Sequence, residues 1–186
     1  MNRMLLILPA AAAMILPSAS FAQTQSQAIT ITGSVSPACN VGAPEQSTVS
    51  IGALTGSDGK LRPELSGAAI VAETSINNAW CNTPNRITLT SSPLVLVTQP
   101  GYASPAGFAR SVAFEAALTG WSGAVANKAL TPNATVQADT ETAYVAAPLG
   151  VIISKLSPVR DGVVAEGSYI EAGAYSATVS ITLAAR

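Results

Sequence analysis

The chain has 186 residues, only 10% of them charged, with nine basic side chains, ten acidic ones and no histidine. An ordinary soluble domain carries about 25% charge, and nothing basic is clustered here, so neither nucleic acid nor an anionic membrane surface is an expected partner. Without histidine, Ser-His-Asp and Cys-His catalysis and an ordinary zinc enzyme are excluded.

In chain order, Met1-Asn2-Arg3 supplies a short positive region, and Met4 to Leu16 is apolar except for Pro9. Pro17 to Ala22 then breaks the run with small residues. This predicts a signal peptide over 1–22, cut after Ala22, because the run falls short of the ~20 residues that a bilayer span needs. The protein is therefore expected to be exported, to the periplasm, the cell surface or beyond, with no transmembrane segment after the leader is removed. Residues 23–186 suffice for one core and fit two domains poorly. They carry eight basic and ten acidic groups, since Arg3 leaves with the leader.

Gln23 to Gln27 is polar. Ile29, Ile31 and Val35 then share one face of a predicted strand, with Thr30, Thr32 and Ser34 on the other. Further strands are predicted where residues alternate in character, over Ser47–Gly52, Ile70–Ile76, Arg86–Thr90 and Ser111–Leu118. The apolar run Pro93–Val97 reads as a strand buried on both faces. Thr135–Gln137, Ala143–Val145 and Val151–Ile153 are weaker strands. The last strand is the cleanest, with Tyr175, Ala177, Val179, Ile181 and Leu183 opposed by Ser176, Thr178, Ser180 and Thr182. Turn residues such as Asp58-Gly59, Asp161-Gly162 and Glu166-Gly167 separate these runs. Short strands without a useful amphipathic helix indicate an all-β, immunoglobulin-like antiparallel sandwich.

Cys39 and Cys81, the only cysteines, are in an exported chain most simply one disulfide. Trp80, beside Cys81, is expected in the core. Catalytic candidates are few. Asp58, Glu64, Asp161 and Glu166 fall beside turns, and Glu115 belongs to the solvent face of its strand. Trp121, between Gly120 and Ser122-Gly123, reads first as a core or rim residue at a strand end, with stacking on a sugar as the alternative. No enzymatic activity, metal or cofactor is expected.

Three landmarks carry a family resemblance. Gly33-Ser34-Val35 leading to Cys39-Asn40-Val41 resembles the opening of chaperone–usher pilus subunits. Trp80-Cys81-Asn82-Thr83-Pro84 with Ile87-Thr88-Leu89 is similar to the second cysteine strand of spore coat protein U-like, archaic pilins. Gly173 to Leu183 resembles that family's closing strand. The resemblance implies a sandwich that lacks its final strand, with 23–32 as an N-terminal extension and 33–186 as the domain. In such fimbrial systems a periplasmic chaperone fills the groove, an outer-membrane usher follows, and a neighbouring subunit's extension then replaces the chaperone. Carried over, Cys39 and Cys81 form the bridge, Ile29 and Ile31 are donor residues, and Tyr175, Ala177, Val179, Ile181 and Leu183 flank the groove. The expected function is a structural subunit of a surface pilus or coat-like polymer involved in cell adhesion. The alternative is a self-completed monomeric binding module that recognises glycans through Trp121.

Overall fold

The structure, a computed structural model, describes residues 29–98, 104–121, 125–128, 134–140 and 148–186. The expected leader, most of the extension and the Ala143–Val145 strand lie outside them. The chain divides between Val35 and Ser36 into two units, Met1–Val35 and Ser36–Arg186. In the first unit, residues 29–35 form no strand, and Ile29, Ile31 and Val35 are exposed by 88%, 91% and 84%. The strand predicted here does not form, because alternation supplies a face but no pairing partner.

Among its described residues the second unit is all β apart from one helical turn. Strands β1 (Cys39–Asn40), β2 (Ile70–Ile76) and β3 (Trp80–Cys81) come first, with helix α1 (Pro63–Ser66) before β2. Then follow β4 (Asn85–Ser91), β5 (Leu94–Leu96), β6 (Phe108–Ala109), β7 (Ser111–Thr119), β8 (Val125–Lys128) and β9 (Ala134–Thr140). The chain continues through β10 (Leu149–Arg160), β11 (Val163–Val164), β12 (Tyr169–Ile170), β13 (Tyr175–Ser176) and β14 (Val179–Ala185).

The larger sheet is built on β10 and β7, paired antiparallel along most of their length. Outside β10 lie β2 and β11, and outside β7 lie β8 and β5, with β13 beyond β5. A bulge between Ser154 and Ser157 bends β10, and Asp161 and Gly162, both at positive φ, turn it into β11 as a two-residue hairpin needs. The smaller sheet is β14–β4–β9, antiparallel and without register shifts.

Inward rows from both sheets meet in one core. Ile87 and Leu89 of β4 are buried with Phe114, Ala116 and Leu118 of β7 and Leu149, Val151 and Leu156 of β10. The alternation that predicted β4, β7 and β2 thus delivers them. Three readings need correction. Ser47–Gly52 is irregular, its neighbourhood contributing only a bridge from Pro44 to Ile76. Pro93–Val97 is not buried on both faces, for Leu94 and Leu96 point inward while Val95 and Val97 are 41% and 51% exposed. The closing run is not one strand: Tyr175–Ser176 pairs with β5 in the larger sheet, whereas Val179–Ala185 pairs with β4 in the smaller one.

Candidate functional site

The crossing of the chain from β13 to β14 opens a cleft between the two sheets. It holds a cavity of about 550 Å³, lined on one side by Ala177, Val179 and Ile181 and on the other by Val41, Val49, Ile51 and Ala72. Its floor is apolar, made by Ile76, Leu94, Phe114 and Val151. A void of about 150 Å³ already admits a benzene ring, so this one has room for several aliphatic side chains.

The β14 side is a bare sheet edge. Val179, Ile181 and Leu183 stand opposite Ser91, Leu89 and Ile87. Those β4 partners are almost wholly buried, while the three β14 residues are only half-buried. The Ser92 N–H donates to Thr178 O at 2.9 Å, and the Arg186 N–H donates to Pro84 O at 2.9 Å. Even-numbered residues therefore turn their backbone groups toward β4. By the alternation of an antiparallel ladder, Val179, Ile181 and Leu183 turn theirs to the free side. Among the described residues no strand pairs there.

The facing edge, that of β2, is covered. Pro44 bridges Ile76, the Glu45 N–H donates to Ser75 O at 2.7 Å, and Gln46 and Thr74 are hydrogen-bonded through backbone and hydroxyl. Hydrogen bonds from Ser75 and Asn77 hold the Glu45 carboxyl below its ordinary range. Sequence reading missed this segment's part in the site; the half-buried Val41, Val49 and Ile51 were its only signal.

Tyr175 closes one end of the cleft. Its hydroxyl donates to Glu171 O at 2.9 Å, and Glu171 is itself bound by Arg110 at 3.3 Å and by the Ser104 hydroxyl at 2.8 Å. Burial, with the Glu171 charge adding to it and Arg110 partly offsetting, pushes the Tyr175 phenol up to about 12. Of the five residues expected to flank a groove, Tyr175, Ala177, Val179 and Ile181 line the cavity. Leu183 lies outside its lining, half-buried at the Ile87 register.

The root of the N-terminal arm is clasped to the domain. The Ala38 N–H donates to Asn82 Oδ1 at 2.7 Å, Asn82 Nδ2 donates to Ser36 O at 3.0 Å, and the Asn82 N–H donates to Ala38 O at 3.0 Å. One residue away, the Cys39–Cys81 disulfide locks β1 to β3, with Cys81 fully buried. A carboxamide continues the ladder here as a backbone would.

The two tryptophans part company: Trp121 takes the core place open to it, whereas Trp80 departs from the expectation. Trp121 is 7% exposed within the core cluster, so its ring offers no face for a sugar. Trp80, expected inside, is 37% exposed, because alternation sends the neighbour of an inward half-cystine outward. Glu115 binds Lys155 through both carboxylate oxygens at 2.9 Å, near the surface. Scans against known protein families, curated proteins and solved structures find no match.

Proposed function

We propose that this chain is an exported structural subunit that assembles by strand addition, a second copy's N-terminal arm filling the groove beside β14. The observation that carries this reading is the edge of β14, unpaired among the described residues, beside a cavity with an apolar floor. Sheet proteins ordinarily blunt such an edge with proline, lysine or a bulge, and Val179–Ala185 has none of these. A β-strand added there would pair with the free backbone groups and bury its own apolar row in the cavity.

The arm has matching chemistry. Ile29, Ile31 and Val35 recur with period two and are almost fully exposed. Burying such a side chain contributes about 1.5–3 kcal/mol, so two or three of them supply several kcal/mol beyond the backbone ladder. Before assembly a periplasmic chaperone would occupy the same groove, and an outer-membrane usher would exchange it for the next subunit, giving a surface pilus or coat-like polymer. The burial of Trp121 weighs against the glycan-binding monomer.

The test is electrophoresis of native, surface-sheared protein in non-reducing buffer, with and without boiling. A ladder of multiples that collapses on boiling is expected, and deletion of Gln23–Thr32 should reduce it to one band. A ladder that survives that deletion would refute strand addition by the arm.

A further inference from the structure

Trp80 is a large ring standing 37% exposed on β3, opposite Asn40. Its immediate neighbours are fixed: Cys81 is buried and bridged to Cys39, and Asn82 holds Ser36 and Ala38 through its carboxamide. The half-exposed ring is thus mounted on a rigid base within two residues of the place where the arm leaves the domain.

That placement has a consequence if the arm is lent to another subunit, the reading on which this inference rests. The first unit ends at Val35, and the next residue, Ser36, though still exposed, is already hydrogen-bonded through its carbonyl to Asn82. A residue of extended chain spans at most ~3.6 Å. Any body that captures Val35 therefore comes within about 10 Å of Asn82, with no linker to hold it off. A specific protein contact covers roughly 20–30 residues on each side, so a partner seated that close spreads over the surface bearing Trp80. A rigid, partly apolar ring with an N–H at its edge is the residue type that concentrates binding energy in such contacts.

We infer that Trp80 is an inter-subunit contact, packed by a second copy of this chain at the junction where the arm enters the neighbouring groove. Strand exchange then joins two subunits by the arm and by a surface next to its root, which limits the bending of one subunit on the next.

The chain has two tryptophans, and Trp121 is buried, so quenching by acrylamide reads chiefly Trp80. The measurement compares full-length polymer, identified by its boil-sensitive ladder, with the full-length Ile29→Asp/Ile31→Asp protein as monomer and with Trp80→Phe protein in both states. Quenching of wild-type protein is expected to fall on assembly to the level of the Trp80→Phe polymer. A Trp80→Glu chain should give a ladder that collapses at lower temperature, with an unchanged unfolding midpoint in the monomer. A boil-sensitive wild-type ladder in which Trp80 is quenched as fully as in the monomer would overturn the contact and leave strand exchange standing. No ladder at all would overturn strand exchange, and the contact with it.

Discussion

Ile181 and Leu89 stand opposite each other across the β14–β4 ladder, one half-buried at the cavity and the other wholly buried. Truncating Leu89 to alanine empties packed volume, at a cost of about 2–5 kcal/mol whether or not the groove is filled. Ile181→Ala acts differently. Full burial of an isoleucine is worth about 1.5–3 kcal/mol, and part of this side chain already faces open space. The free subunit should lose only about 1 kcal/mol, and a further ~1 kcal/mol should be lost only when a strand closes the cavity. A labelled peptide spanning Gln23–Ser36, added to protein lacking Gln23–Thr32, should bind the Ile181→Ala variant about fivefold more weakly. Leu89→Ala should lower the urea midpoint while leaving the affinity of the folded fraction nearly unchanged. Anisotropy of the peptide and urea unfolding with and without it supply both numbers. An Ile181→Ala cost of 3 kcal/mol or more without peptide, together with unchanged affinity, would make Ile181 an ordinary core residue and refute the reasoning.

Exchanging Thr30 and Ile31 in that peptide preserves composition but puts the two isoleucines on opposite faces; affinity should fall at least tenfold, one buried side chain's worth, whereas equal binding would indicate unspecific adhesion. Replacing Cys39 and Cys81 together by serine should cost about 4 kcal/mol on the chain-entropy account of a closed loop of this length, read as a lower urea midpoint that reductant no longer changes. Tyr175 is held neutral in the fold, its phenol raised to about 12. The stability this confers is complete below the ordinary value near 10 and is lost as pH rises toward 12. Comparing Tyr175→Phe with wild type at pH 8 and pH 11 should therefore show a smaller alkaline loss in the variant; equal losses would remove Tyr175 as a cause.

Strands with one inward and one outward face were legible because period two is the direct imprint of a half-buried sheet, as in β4, β7 and β14. The crossing at Ala177–Thr178 was not. Both sheets turn their inner faces to the same core, so the alternation from Tyr175 to Leu183 runs on unbroken while the chain changes sheet. Ser47–Gly52 failed for the opposite reason: it alternates well, but the β2 edge is already taken by Pro44–Gln46. The cavity itself left no mark in the sequence. It is a volume between residues as far apart as Val41, Phe114 and Ile181, and only the fold brings them together.

The two edges that flank the cleft are unequal, and the inequality would give the proposed strand addition a direction. The β2 edge carries a charged residue at Glu73 and is covered by a segment that bridges it at Pro44 and is tied down by hydrogen bonds from Glu45 and Gln46. An incoming strand would have to displace those bonds to pair there. Beside β14 it meets no paired strand among the described residues. It finds the free groups of Val179, Ile181 and Leu183 and side chains already inclined to the cavity. The same bonds that guard β2 keep residues 44–46 from crossing the cleft to complete the sandwich from within. The fold thus holds residues 44–46 on the β2 side of the cleft, so on the proposed reading the strand that pairs with β14 comes from another copy.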